Sequence, residues 1–207
     1  DMQRVPEEAD SYIGKVASLI YERFLAGALP VAMVSMDNCS HNGSRLESAV
    51  LAFADAWEGK GLCRKGFAAY VRDRSKISFP WSMIDKITPR PDASVRAMIE
   101  ADGIEDMDYK RSSRGSYVAP FVNAEETQYL VIEDAFPNGH PALEKAGVIF
   151  TTRETVDMVE TMKVCTCLNP LHTALAVCGC LLGFTKISDE MNDPDLKKLV
   201  ETVGYRE

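Results

Sequence analysis

Hydrophobic positions near the start of the chain alternate between two periods. Tyr12, Val16, Leu19, Ile20 and Phe24 recur at the spacing of one helical face, and Gly27 follows as a stop. Residues 30–36, PVAMVSM, form a continuous apolar run of strand length, and Leu46, Val50, Phe53, Ala54 and Trp57 then restore the helical period. An all-apolar strand between helices predicts a buried parallel sheet. Further strands are predicted in ISFPWSMIDKITP, around Ile77 to Ile87, and in the pair SYVAPFV and QYLVIED, around residues 116–134.

From about Thr151 the pattern becomes helical to the end. It passes through Val156, Met158 and Val159, an apolar stretch from Leu171 to Phe184, and then Leu196, Leu199, Val200 and Val203. The expected class is α/β followed by all-α, with a domain boundary near residue 150 that separates 1–150 from 151–207. No internal repeat or low-complexity linker marks the join.

Composition narrows the partners. The 207 residues are 46% apolar and 26% charged, enough for one large domain or one domain and part of another. A net charge of −8, with no basic cluster to offset it, argues against nucleic acid or an anionic membrane as a partner. No apolar stretch of the roughly 18 to 20 residues that span a bilayer stands out, and DMQRVPEEAD has no signal-peptide pattern. A soluble cytoplasmic protein is the expectation, its oligomeric state open. Position 1 is not Met, so the chain reads as a fragment.

Six cysteines invite a disulfide or zinc reading. Cys165, Cys167, Cys178 and Cys180 form two C-x-C pairs in helical sequence, where neighbours two apart point about 200° from each other and cannot meet at one ion. With Cys39 and Cys63, they are expected to be small buried side chains in a reducing compartment.

Three segments are candidates for chemistry. GKGLCRKG, residues 59–66, has Arg64 where a dinucleotide-binding loop needs its third glycine, so any phosphate-binding loop is expected upstream of residue 1. MDNCSHNG, residues 36–43, follows the apolar strand, and the carboxyl end of a parallel strand is where open α/β sheets present ligand-facing groups such as Asp37 and Asn38. The same residues equally suit a strand-to-helix loop and its cap, with His41 a loop or cap residue.

The third segment, MKVCTCLNPLHTALAVCGCLLG at residues 162–183, sets Lys163, Asn169 and His172 in an apolar run, with Glu160 one turn before the lysine. On an unbroken α-helix Lys163 and His172 lie about 180° apart, too far to serve one site. Asn169 before Pro170 reads as an N-cap with proline in the first turn of a new helix. So either the cluster is accidental, or the helix is broken or carries a π-bulge between Cys165 and Asn169.

The order SMDNCSHNG, FPWSMIDKITP, YLVIEDAFPNGHPALEKAGVIFT and ETMKVCTCLNPLHTALAVCGCLLG resembles the polyol-specific long-chain dehydrogenases, the mannitol dehydrogenase and fructuronate reductase group. The resemblance spans residues 30–195 and implies a Rossmann-like dinucleotide-binding domain followed by a mainly helical substrate domain. It implies a metal-free NAD(H) or NADP(H) enzyme in which Lys163 is general acid/base, Asn38 and Asn169 stabilise the alkoxide, His172 contacts substrate and Glu160 relays the proton. On the cofactor side it points to Asn38, Ile84 and Asp85. The family pattern Lys-Leu-Arg-Leu-Leu-Asn-Gly-Ser-His has four residues between Lys and Asn. Here five intervene, and Pro170-Leu171 replaces Gly-Ser, so a π-bulge would restore the register.

Within that family the motifs resemble the branch that interconverts D-mannonate and D-fructuronate, whose carboxylate partners are expected beyond residue 207. Mannitol or polyol 2-dehydrogenase is the neighbouring reading. A non-catalytic binding or assembly fragment is a second class. A metal hydrolase using His41, His140 and His172 has no i, i+4 ligand spacing behind it.

Overall fold

In the computed structural model, the structure describes residues 1–86, 88, 90–124, 126 and 129–206. Ile87 and Gln128, which fall in two of the expected strand regions, lie outside the described residues. The chain forms two compact units, Asp1–Ile84 with Leu130–Glu207, and Asp85–Tyr129.

Ser11 starts α1 (Tyr12–Leu25) by accepting the Gly14 amide on its hydroxyl at 3.1 Å, a normal N-cap. The helix buries Ala17, Ile20 and Tyr21, whereas Tyr12 and Leu19 of the expected stripe are 83% and 70% exposed. The buried face is rotated because Ala17 is small enough to let the neighbouring helices approach, and Tyr21 then packs edge-on to Phe67 at 5.1 Å. Past Gly27 the chain enters β1 (Val31–Ala32) and then α2 (Asn42–Gly59), which buries Val50, Phe53, Ala54 and Trp57 as the period predicts. With α3 (Phe67–Arg72), these residues enclose a core around Trp57, Phe67, Ile77 and Phe79.

The run from Ile77 makes two strands. β2 (Ile77–Ser78) pairs parallel with β1, Val31 opposite Ile77, and β3 (Ser82–Met83) belongs to another sheet. Pro80 sits between them and has no N–H to give a ladder, which ends one pairing before the other begins.

The Asp85–Tyr129 unit holds α4 (Ala93–Ala101) and a hairpin of β4 (Lys110–Arg111) and β5 (Tyr117–Val118). Asp92 caps α4 through Ser94 N–H at 2.8 Å, and Tyr109 lies 4.9 Å from Tyr117.

β6 (Leu130–Glu133) then joins β3 antiparallel and β7 (Val148–Thr151) parallel, in the order β3-β6-β7. After β7 the described residues are helical or irregular. α5 (Arg153–Glu160), a π segment (Thr161–Leu168) and α6 (Asn169–Leu181) form one continuous helix, followed by α7 (Ile187–Glu190) and α8 (Pro194–Tyr205), which packs on α6. The fold is thus α/β followed by all-α.

Three expectations are corrected here. Asn169 is not an N-cap, having helical φ −65° and ψ −43°, because the π segment carries the helix through Pro170 without a stop. The 29-residue helix Arg153–Leu181 has a mean hydropathy of 1.5 over 18 residues and is long and apolar enough, by length and composition, to cross a membrane. The Val, Leu, Cys and Ala residues around Asn169 and His172 outweigh those two polar positions, which make the run look interrupted. Finally, all six cysteines are free, but Cys165, Cys167 and Cys180 are exposed, since the π segment buries no residue and α6 only Leu175 and Gly179.

Candidate active site

The loop that carries Asn38 leaves the carboxyl end of β1 and is held by Asn42, which is 2% exposed. The Asn42 amide donates to the carbonyls of Ser35 (3.2 Å), Asp37 (3.0 Å) and Ser82 (3.0 Å), and its oxygen accepts from the amides of Ser82 and Gly43. One buried side chain thus satisfies the irregular backbone on both sides of the loop. A Cβ on Gly43 would overlap the carbonyl oxygens of Phe79 and Pro80, so glycine lets the start of α2 rest on the backbone that links β2 and β3. Asp37 and Asn38 are left exposed on the outside of the turn.

His41, the residue before α2, has φ 57° and ψ 39° and makes no side-chain cap bond. Its ring stacks on Trp81 at 4.3 Å, and Nε2 lies 2.9 Å from Asp157 Oδ1 on α5. Trp81 is itself fixed, its indole N–H donating to Ser44 Oγ at 2.8 Å and its backbone N–H to Glu133 at 3.0 Å. The Arg153 guanidinium lies 4.9 Å from the Trp81 ring, and its Nε donates to both Glu133 oxygens at 3.1 Å.

The remaining candidates follow along the same helix. Glu160 closes α5 and Lys163 lies in the π segment, both half-buried, while Asn169 and His172 open α6 and are exposed. The Asn169 backbone N–H donates to the Val164 carbonyl, five residues back, and Thr166 Oγ1 donates to the Thr161 carbonyl at 3.0 Å. A turn closed at i−5 holds more residues than one closed at i−4, so the angular step per residue falls. Lys163 and His172 therefore rotate toward one another from the opposed positions of an unbroken α-helix. The wide turns begin at Thr161, four residues earlier than the expected bulge. His172 Nδ1 donates to the Leu168 carbonyl at 2.9 Å, which leaves Nε2 of the neutral ring as an acceptor.

The His41–Asp157 pair thus joins the Asn38 loop to the helix that bears Glu160 and Lys163. Ile84, half-buried, follows β3 in the same unit, whereas Asp85 belongs to the Asp85–Tyr129 unit. Sequence reasoning missed Asn42, Trp81, Glu133, Arg153 and Asp157. Their partners lie 20 to 116 positions away or on backbone atoms, which no local spacing reveals. A cleft of about 430 Å³ between Arg74, Ser78, Phe79, Glu133, Phe136 and Arg153 contains none of the expected residues. Among the described residues, no group of three or more His, Cys, Asp or Glu is placed to hold a metal ion.

Residues 4–145 match the mannitol dehydrogenase Rossmann domain. Over 206 residues the chain is 54% identical to D-mannonate oxidoreductase of Thermotoga maritima, covering 99% of this chain and 38% of that protein. Among solved structures, D-sorbitol dehydrogenase in substrate-free form superimposes with a TM-score of 0.74 at 27% identity, over 98% of this chain and 37% of the other. Pseudomonas fluorescens mannitol 2-dehydrogenase, solved with NAD and D-mannitol, gives 0.69 at 29% identity, over 97% and 36%. The chain spans less than two fifths of the length of these relatives. It belongs to the mannitol dehydrogenase family.

Proposed function

We propose that this chain carries the proton-transfer centre of an NAD(H)-dependent dehydrogenase that interconverts a sugar-derived secondary alcohol and its ketone, D-mannonate and D-fructuronate. The observation that carries the reading is the eight-residue π segment between Glu160 and Asn169, which absorbs the surplus residue of the Lys-to-Asn spacing. The substrate choice rests on 54% identity to a D-mannonate oxidoreductase, against 27% and 29% to the sorbitol and mannitol enzymes of known structure. A division near residue 150 is part of the same proposal, supported by helical structure after β7.

The residues fit a nucleotide at one point that the structure describes. Asn38 is exposed on the loop after a parallel strand, where open α/β sheets present groups to a dinucleotide. Ile84 and Asp85 are assigned to the cofactor side on the resemblance alone, and NADP(H) in place of NAD(H) is left to assay. When bound, the nicotinamide supplies or accepts the hydride at the carbinol carbon.

The chain's own residues handle the proton. In the oxidising direction Lys163 Nζ takes the proton from the substrate oxygen as negative charge builds there, and in reduction it returns one. The side-chain amides of Asn38 and Asn169 donate to that oxygen without adding net charge, a role worth roughly 3 to 4 kcal/mol per donor in other enzymes. His172 meets a substrate hydroxyl through Nε2, and Glu160 passes the proton between Lys163 and solvent.

NADH oxidation by the full-length protein, followed by absorbance with D-fructuronate and D-fructose in parallel, tests the reading. Fructuronate should be reduced at least tenfold faster at equal concentration. Faster reduction of fructose would move the assignment to a polyol 2-dehydrogenase, and no oxidation with either ketose would end it.

A further inference from the structure

We propose that the His41–Asp157 pair is a positioning device for the reaction assigned above, on which this inference rests. It sets the rotational phase of the helix that carries Lys163 and holds that phase against the Asn38 loop.

His41 sits in the left-handed region at φ 57°, uncommon for a residue with a Cβ although histidine enters it more readily than most. The usual reward, a side-chain cap on α2, is absent. Instead the imidazole lies flat on Trp81, 23° from coplanar, and its edge meets Asp157. Trp81 is anchored through both its indole and its backbone N–H, so the ring orientation is inherited from a fixed surface.

Asp157 and Arg153 are four residues apart and share one face of α5. Arg153 approaches Trp81 and binds Glu133 on β6, while Asp157 reaches His41. Two contacts one turn apart fix a helix against rolling about its own axis. α5 continues without a stop into the π segment, so the phase fixed at Asp157 is passed to Lys163 six residues later. On the other side, His41 lies three residues after Asn38, in a loop whose Ser35 and Asp37 carbonyls are held by Asn42 and whose Ser40 carbonyl accepts from Arg45. The pair therefore joins the two halves of the proposed site by side chains that are about half exposed, 53% and 45%, and bear little of the core.

The test uses the full-length protein with NADH and whichever of D-fructuronate or D-fructose the wild type reduces. His41→Asn keeps a residue that tolerates the left-handed conformation but is too short to reach Asp157. Asp157→Ala removes the acceptor, and Asp157→Asn restores a neutral one. Expected are a kcat loss of about tenfold to a hundredfold in His41→Asn and in Asp157→Ala, and a double variant no worse than about threefold below the lower single. NADH affinity should stay within about twofold, and Asp157→Asn should recover most of the rate. Backbone hydrogen exchange of residues 36–41 and 161–168 should quicken together in both damaging variants. Quickened exchange with kcat unchanged overturns the proposal, as do strictly additive losses accompanied by falling NADH affinity. If the wild type reduces neither ketose, the assigned reaction fails on its own account. Exchange then still decides the clamp, and unchanged exchange in His41→Asn refutes it.

Discussion

Gly179 of α6 and Glu190 of α7 interlock: a Cβ at position 179 would overlap the carboxyl group of Glu190, which is 3% exposed. The absent side chain is the space that the glutamate fills. Glu190 Oε2 has no hydrogen-bond partner among the described residues, so packing against Gly179 is a visible part of what holds the group there.

Gly179→Ala should therefore destabilise, although Gly to Ala in a helix interior ordinarily gains about 1 kcal/mol. Overlap with a buried carboxyl outweighs that gain, and a net loss of about 1 to 3 kcal/mol is expected in urea unfolding. Adding Glu190→Ala should recover most of it. A Gly179→Ala variant as stable as the wild type would show that the two residues do not interlock.

Gly43 and Gly59 lie at opposite ends of α2 and should respond with opposite signs. At Gly43 a methyl group meets the carbonyls of Phe79 and Pro80, which are backbone atoms of the buried link between β2 and β3, whereas at Gly59 nothing lies within 4 Å. Gly43→Ala should cost about 2 kcal/mol or more by overpacking. Gly59→Ala should raise stability by about 0.5 to 1 kcal/mol through chain entropy. Thermal melts of the two variants decide the matter, and equal shifts would contradict the geometry.

Glu58 gives the fold an acid-sensitive joint. Its carboxylate accepts the amides of Ala68 at 2.9 Å and Gly66 at 3.1 Å at the start of α3, and these bonds hold its pKa below the ordinary carboxylate range. A depressed pKa contributes stability that is fully present above the unfolded value, near 4.3, and is lost as pH falls through the lower folded value. The contribution should be about 1 kcal/mol after allowance for solvent screening. Urea midpoints between pH 6 and 3 should fall less steeply in Glu58→Gln than in the wild type, and parallel curves would remove Glu58 from the account.

Lys163→Ala in the full-length protein should lower kcat by about a hundredfold to ten-thousandfold, the range for loss of a general acid/base, with NADH affinity nearly intact. Stopped-flow NADH binding separates the two effects. Equal loss of binding and rate would sink the role proposed for Lys163.

Much of the α/β framework was legible as period. Val50, Phe53, Ala54 and Trp57 are buried as their spacing predicts, because a helix packed on one side must show its core face as a repeat. Tyr12 and Leu19 fit the same repeat and are exposed, since period marks a face without saying how wide a strip of it is covered. The spacing of Lys163, Asn169 and His172 left an accidental cluster, a broken helix or a π-bulge open, and the helix is continuous with a π segment that starts earlier than the bulge would have. Asn42 read as an ordinary turn residue, because backbone acceptors at Ser35, Asp37 and Ser82 have no side-chain signature. The pairing of His41 with Asp157 spans 116 positions and is created only when β3 brings Trp81 between the loop and α5. Apolar surroundings led to buried cysteines in residues 162–183, but burial depends on what packs against a segment, and here much of its surface is left open.

The π segment also determines which kind of genetic edit the chain should absorb. Swapping Cys165 or Cys167 for a bulkier residue leaves the loose ladder in place. Removing one residue between Val164 and Leu168 lets the ladder close at i−4 instead, so that α6 and α8 meet α5 in much the same phase. The slack in this helix is therefore one codon long. A lineage that lost it would keep its downstream packing while altering the single stretch in which Lys163 is presented.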